Sequence, residues 1–200
     1  MTDADASAPL ADASVESLFE RSGALLDGHF LLKSGRHAGR YLEKFLVLQH
    51  PAIGVELCRR FAALLAPYEP TLVVGPTTGG VLLSFETARQ LGGSVRAAFA
   101  EPAPGDGRSL RRGWPVSPGE RVVLVDDILT TGASLVETID AVRAAGAEPL
   151  AAAVIVDRSM APLALGVPVH ALGRFEVPSW EAADCPLCAD GVALAKPGSS

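Results

Sequence analysis

Residues 121–137 read RVVLVDDILTTGASLVE, and the fold turns on how this stretch is understood. Val122 to Val125 form an apolar run of the kind found in a buried strand. Two carboxylates, Asp126 and Asp127, follow at once. Thr130, Thr131, Gly132, Ala133 and Ser134 then make a small, hydroxyl-rich turn, and a helical pattern starts within it. Strand, polar turn and helix in this order make one unit of a parallel sheet. In such sheets ligands gather beyond the carboxyl ends of the strands. A helix N-terminus there offers unpaired N–H groups and a partial positive charge. Gly132 lets the backbone approach a ligand, and the hydroxyls of Thr130, Thr131 and Ser134 add donors. The turn suits a single phosphate group, and the two carboxylates suit the hydroxyls of an attached sugar. A pentose 5-phosphate would span both. The plainer alternative is that the acids only end a strand and a hydroxyl caps the helix.

The same rhythm extends outward. TLVVG (71–75) reads as a buried strand, GGVLLSFETARQLGG (79–93) as a helix closed by Gly92, and SVRAAFA (94–100) as a strand. ASLVETIDAVRAAG (133–146) continues as a helix, and PLAAAVIVD (149–157) is a further strand. Continuous apolar strands alternating with helices imply a parallel sheet covered on both faces. Upstream, Val15, Leu18, Phe19, Ser22, Leu25 and Leu26 recur at helical spacing, with Gly28 as the stop. HFLLKSGRHAGRYLEKFLVL (29–48) reads as two strands joined by a glycine-containing turn. His50-Pro51 opens a second helix, with Leu57, Phe61, Leu64 and Leu65 on one face and Pro67 at its end. EPAPGDGRSLRRG (101–113) is long and charged for a loop in such a fold, which marks it as functional or disordered.

Bulk properties narrow the function. Two hundred residues suit one domain with a small appendage. No apolar run reaches the roughly 18 residues of a membrane span. The start, MTDADASAPLADA, lacks the basic and apolar regions of a signal peptide, so a frayed tail on a cytoplasmic protein is expected. A net charge of −6 without a Lys/Arg block argues against general nucleic-acid binding, though not against an anionic ligand at a local site. Three cysteines, Cys58, Cys185 and Cys188, do not make a disulfide framework.

The string VVLVDDILTTGAS resembles the phosphoribosyl diphosphate motif of the type I phosphoribosyltransferases. HFLLKSGRHAGRYLEK, VVGPTTGG and VIVDRS are similar to the hood hairpin, the diphosphate loop and the base-gripping Asp-Arg of the orotate phosphoribosyltransferases. The resemblance covers roughly residues 28 to 160, in the family's order. It implies an α/β fold, a twisted parallel sheet flanked by helices, with a small N-terminal hood hairpin over 28–48 and a short C-terminal appendage. The expected organisation is a tail over 1–13, the phosphoribosyltransferase domain over 14–175 and a CxxC appendage over 176–200.

The resemblance also implies a reaction: the phosphoribosyl group of phosphoribosyl diphosphate passes to orotate, with Mg²⁺ bound, in pyrimidine biosynthesis. Asp126 and Asp127 would hold the ribose hydroxyls and, through the substrate, the Mg²⁺, and Thr130, Thr131, Gly132, Ala133 and Ser134 the 5-phosphate. Thr77, Thr78 and Gly79 would present backbone N–H groups to the diphosphate. The family often places a lysine in that loop; here it has two threonines. Lys33 and Arg36 in the hairpin turn, and Tyr41 beyond it, would face the base or diphosphate, unless the two cations are a solvated tip. Leu42 and Glu43 stand where the family has an aromatic pair. Arg158 would take orotate's planar carboxylate bidentately, unless it pairs locally with Asp157.

The 101–113 segment departs most from the pattern. Only Glu101 matches the family's Arg-Lys-Glu run, and the loop lysines and histidine are missing. Arg108, Arg111 and Arg112 stand instead. Arg111 or Arg112 is the expected replacement for the catalytic lysine; the alternative is that both anchor the loop. In the family this loop serves a neighbouring subunit, which implies a homodimer with shared active sites. Two other functions remain: a purine phosphoribosyltransferase, and a non-catalytic regulatory relative that binds nucleic acid. Cys185 and Cys188 form half of a zinc site, to be completed by a partner subunit or by His170, or else a pair of reduced thiols. Cys58 fits core packing, and His29, His37 and His50 show no ligand spacing.

Overall fold

The computed structural model describes residues 9–32, 34–105, 107–159, 161–175 and 178–196. In chain order its elements are α1 (Val15–Arg21), β1 (Leu25–Leu31), β2 (His37–Leu42), α2 (Lys44–Leu48), α3 (Pro51–Leu65), β3 (Leu72–Pro76), α4 (Gly79–Leu91), β4 (Arg96–Pro102), β5 (Arg108–Ser109), β6 (Arg121–Leu129), α5 (Ala133–Ala144), β7 (Glu148–Asp157), β8 (Val169–Arg174), β9 (Ser179–Trp180) and α6 (Pro186–Ala189). The chain forms two compact units, one of Pro51–Arg174 and one of Met1–His50 with Phe175–Ser200. This division differs from the expected one. The hairpin groups with the C-terminal segment rather than with the sheet, because β2 and β9 belong to one small sheet.

The larger unit is a six-stranded sheet in the order β5-β4-β3-β6-β7-β8. Its five main strands are parallel, and β5 adds antiparallel to β4. Burial on both faces explains the unbroken apolar runs: Val73, Val74, Leu124, Val125, Val154 and Ile155 have no exposed surface. Among the parallel strands the first, β3, is flanked by the second, β4, and the third, β6. The strand order therefore reverses between β3 and β6, and the crevice outside that point is where such sheets bind ligands.

Three details depart from the sequence-based expectation. β6 runs on to Leu129, so Asp126 sits inside the ladder opposite Val154 instead of ending the strand. β8 was not expected; its residues are partly exposed at a sheet edge, so they lack a buried strand's continuous apolar pattern. The 101–113 segment is partly a β-ribbon, with Glu101 opposite Ser109 and Pro102 opposite Arg108. Beyond it, Leu110, Trp114 and Val116 pack against the core formed by Leu72, Val74, Ala98 and Val142.

In the smaller unit, α1 is capped by Ser14, whose Oγ accepts from Ser17 N–H at 3.0 Å. The helix stops at Arg21, earlier than expected, and Ala24 N–H donates back to Phe19 O at 2.8 Å. Leu25 and Leu26 consequently belong to β1, where they pair with Leu42 and Tyr41. The second strand ends at Leu42, and the expected strand residues beyond it form the short α2. Leu18, Phe19, Ala38 and Val47 are fully buried, and Phe19 packs edge-on against Phe175 with ring centroids 5.8 Å apart.

Candidate functional site

The expected phosphate turn lies where β6 hands over to α5. Asp126 and Asp127 are buried, 7% and 3% exposed, although both are acids in an otherwise apolar strand. Asp126 Oδ1 accepts from Asp127 N–H at 2.8 Å, and Asp127 Oδ1 from Ile128 N–H at 2.7 Å. Their carboxylates are thus oriented by the backbone that carries them. Gly132 precedes α5 with φ +80°, and a Cβ there would lie 2.8 Å from Leu165 Cδ2, so the turn needs glycine for its conformation and for space. No side chain caps α5; Ala133 N–H has only a 3.5 Å contact with Thr131 Oγ1. The first turn of the helix therefore keeps its donors for a ligand. A cavity of about 40 Å³ opens there, lined by Asp126, Thr130, Thr131, Gly132, Ala133 and Ser134. Every residue expected to hold the 5-phosphate lines this one cavity, with Asp126 beside them.

The expected diphosphate loop lies across the strand-order reversal, between β3 and α4. Gly75 and Gly80 hold strand and helix at backbone contact. Thr77 and Thr78 are joined by a cis peptide, Thr77 N–H donates to Ala100 O at 3.0 Å, and Thr78 stands exposed before an uncapped α4. The loop has no lysine, but a cation reaches it from the β-ribbon. Arg108 Nη1 donates to Thr77 Oγ1 at 3.2 Å, to Thr77 O at 3.3 Å and to Ala100 O at 3.2 Å. Its Nε lies 3.3 Å from Glu137 Oε2 on α5. Arg108 therefore bridges the loop and the helix that carries the phosphate turn. Sequence reasoning counted it among the ribbon arginines without a role. Its contact with Thr77 spans 31 residues, which sequence spacing does not signal.

The other loop arginines are tied to the ribbon itself. Arg112 makes a two-bond pair with Glu101, at 2.8 and 2.6 Å. Those hydrogen bonds, with Arg112's charge, hold the Glu101 carboxyl below its ordinary range. Arg111 Nη1 reaches Pro102 O at 3.4 Å. Arg158 N–H donates to Leu129 O at 2.7 Å, joining the end of β7 to the end of β6. Asp157 accepts from Ser159 N–H at 2.8 Å, and Arg174 Nη1 lies 4.0 Å from its carboxylate. A second cavity, of about 430 Å³, lies among Asp157, Ser159, Leu163, Leu165 and Arg174, and no residue expected to bind substrate lines it.

In the smaller unit, Lys33 lies outside the described residues. Arg36 does not form a solvated tip: it donates to Ser179 Oγ at 2.9 Å and pairs with Glu181. Tyr41 packs against Phe30, with centroids 5.7 Å apart. Cys58, in the larger unit, is core as expected; burial pushes its thiol up to about 12.

The histidine reading needs correction. His29 and His37 gather with Cys185 and Cys188, their ligand-type atoms all within 4.8 Å of one another. His170, the expected intrachain candidate, instead lies 2.9 Å from Tyr68 Oη. The missed signal is a hairpin: two residues flanking a tight turn, eight apart, come to one face of adjacent strands.

Residues 47–164 match the model of the phosphoribosyl transferase domain. The chain is 46% identical over 185 residues to a protein of Pelotomaculum thermopropionicum named orotate phosphoribosyltransferase, covering 92% of this chain and 96% of that one. The crystal structure of orotate phosphoribosyltransferase from Aeropyrum pernix superposes with a TM-score of 0.68 at 27% identity, over 80% of this chain and 93% of that chain. The Mycobacterium tuberculosis enzyme of the same name, solved with 5-phospho-α-D-ribosyl 1-diphosphate, shares the fold at a TM-score of 0.59 and 24% identity, over 68% of this chain and 81% of that one.

Proposed function

The chain belongs to the orotate phosphoribosyltransferase family, and from that premise we propose that it makes orotidine 5-phosphate and diphosphate from orotate and phosphoribosyl diphosphate in pyrimidine nucleotide synthesis. The observation that carries this reading is the pair of buried acids running directly into an uncapped helix start, at the reversal of strand order.

The chemistry is a substitution at C1 of the ribose. The base nitrogen forms the new bond, loses its proton to solvent or a nearby base, and the C1–O bond breaks with its electron pair leaving on diphosphate. Positive charge develops on the ribose ring as the bond breaks, as in glycoside chemistry. Asp126 and Asp127 hold the ring hydroxyls and place negative charge near that developing cation. The N–H groups of Gly132 to Ser134, with Thr130 and Thr131, fix the 5-phosphate and so the position of C1. The N–H groups of the Thr77–Gly79 loop, braced by Arg108, receive the departing diphosphate. Mg²⁺ would supply charge neutralisation at the diphosphate, and Asp126 and Asp127 would hold it indirectly, through the ribose hydroxyls they bind.

Arg158 takes the orotate carboxylate in this reading, and Lys33, Arg36 and Tyr41 keep the roles that the resemblance gives them. Of the two exposed loop arginines we favour Arg111 for the replaced lysine. Its 3.4 Å hydrogen bond to Pro102 O is a weaker tether than Arg112's two-bond pair with Glu101. The ribbon then serves a second subunit in a homodimer, and the enzyme works in the cytoplasm. No described helix is long and apolar enough to cross a membrane.

The test is an absorbance assay of purified protein with phosphoribosyl diphosphate and Mg²⁺, offering orotate, adenine and hypoxanthine in parallel. Turnover of orotate alone supports the reading. Turnover of a purine, or of no base, rejects it.

A further inference from the structure

We propose that His29, His37, Cys185 and Cys188 bind one structural zinc ion that fastens the β1–β2 hairpin to the C-terminal segment. The four residues come from places far apart in sequence, two flanking the turn of one hairpin and two from Cys-Pro-Leu-Cys around the start of α6. Their ligand atoms nevertheless converge. His29 Nε2 lies 3.0 Å from His37 Nδ1, 3.4 Å from Cys185 Sγ and 3.7 Å from Cys188 Sγ, and Cys188 Sγ lies 3.3 Å from His37 Nδ1.

These are four of the six separations among the ligand atoms, and all six lie within 4.8 Å, as donors gathered around one ion would. With Zn–N near 2.0–2.1 Å and Zn–S near 2.3 Å, tetrahedral angles give N···N of about 3.3 Å, N···S of about 3.6 Å and S···S of about 3.8 Å. The N···N distance and these three N···S distances fall within about 0.3 Å of those values.

The surroundings choose the same state. His29 Nδ1 lies 2.8 Å from Val192 O. A carbonyl only accepts, so Nδ1 carries the proton and Nε2 turns a lone pair toward the cluster. A ligating histidine normally has such a partner, which fixes its tautomer and ring orientation. Two thiolates with two imidazoles suit a borderline-soft ion, not Mg²⁺ or Ca²⁺. Four protein ligands fill a tetrahedral site and leave no open position for substrate, which marks the site as structural. His29, His37 and Cys185 are buried, while Cys188 is exposed and gives the ion a way in.

The fold shows what the ion would do. β9 pairs with β2 through two residue pairs only, His37 with Trp180 and Ala38 with Ser179. Leu31 N–H donates to Ala195 O, and Ala195 N–H to His29 O, each at 2.8 Å. Arg36 adds its bonds to Ser179 and Glu181. A small sheet with so short a third strand has a slight core, and a metal is the usual kind of staple for such a unit.

The full chain, prepared without a histidine tag and passed through gel filtration, should carry about one zinc per chain by elemental analysis. Cys185→Ser, Cys188→Ser, His29→Gln and His37→Gln should each lose most of it, and His170→Gln should keep it. A mercurial titrated into the native chain should release zinc to a chromogenic chelator in step with two thiols, with buried Cys58 reacting last. Co²⁺ in place of zinc should give the visible bands of a tetrahedral sulfur–nitrogen site, a readout that stands even where a variant fails to fold. A metal-free native chain that gives no such bands with Co²⁺, a Cys185–Cys188 disulfide, or zinc retained in the folded cysteine variants would overturn the proposal.

Discussion

Gly75 and Gly80 touch backbone to backbone: a Cβ on Gly75 would lie 2.3 Å from the Gly80 carbonyl oxygen, and one on Gly80 2.7 Å from the Gly75 carbonyl carbon. The contact sets the angle at which α4 leaves β3, and so aims the N–H groups of the loop between them. Neither neighbour is a flexible side-chain end, so nothing there yields cheaply. Gly80→Ala should lower stability by about 1–3 kcal/mol, as overpacking does, and raise the KM for phosphoribosyl diphosphate more than the KM for orotate. Thermal denaturation and steady-state kinetics check both, and an unshifted midpoint with unchanged KM rules the tight contact out as a determinant.

Asp127→Asn keeps the shape of a buried side chain while removing its charge. The expected result is a kcat lower by roughly 10²–10³-fold with the fold retained, because in the proposed reaction the charge faces a cation that exists only in the transition state. Asp126→Asn should behave likewise. A variant with near-native kcat and a raised KM would assign the carboxylate to ground-state binding instead.

In the proposed reaction Arg108 would act as a positioning residue, since it reaches the expected diphosphate loop through Thr77 and Ala100. Arg108→Lys keeps the charge but loses the planar fork that spans Thr77 and Glu137. It should raise the KM for phosphoribosyl diphosphate about tenfold, equivalent to about 1.4 kcal/mol, with a smaller change in kcat. An Arg108→Lys variant that stays near native while Arg108→Ala loses function would show that charge alone matters there.

Glu56, on α3, accepts hydrogen bonds from Arg59 and Arg60, and the bond from Arg59 is the largest cause holding its carboxyl below the ordinary 4.5. A carboxyl depressed in the fold stabilises above its unfolded pKa, and the benefit fades as pH falls through the folded one. The stability gap between the native chain and Glu56→Gln should thus be constant above about pH 5 and shrink below it. Urea melts across that range would show it; a gap that widens toward acid has the wrong sign.

Much of the larger unit could be read from sequence because its strands are buried on both faces and its helices end on glycine or proline. The turn from β6 into α5 was legible for the same reason: strand, acids, small residues and helix follow one another within 17 residues, RVVLVDDILTTGASLVE. What escaped depends on contacts distant in the chain. β8 lies at a half-exposed edge and has no unbroken apolar run. Arg108 works through Thr77, 31 residues away. The cysteine–histidine cluster joins His29 to Cys185, 156 positions away, so pairwise spacing could not reveal it; the pairing of β2 with β9 and the backbone bonds of Leu31 and His29 with Ala195 bring the halves together.

A crystal grown with phosphoribosyl diphosphate and Mg²⁺ tests the central claim most directly. The 5-phosphate should sit about 3 Å from the N–H groups of Gly132 to Ser134, with the ribose hydroxyls on Asp126 and Asp127. A phosphate bound elsewhere, or a turn left empty at saturating ligand, would contradict it.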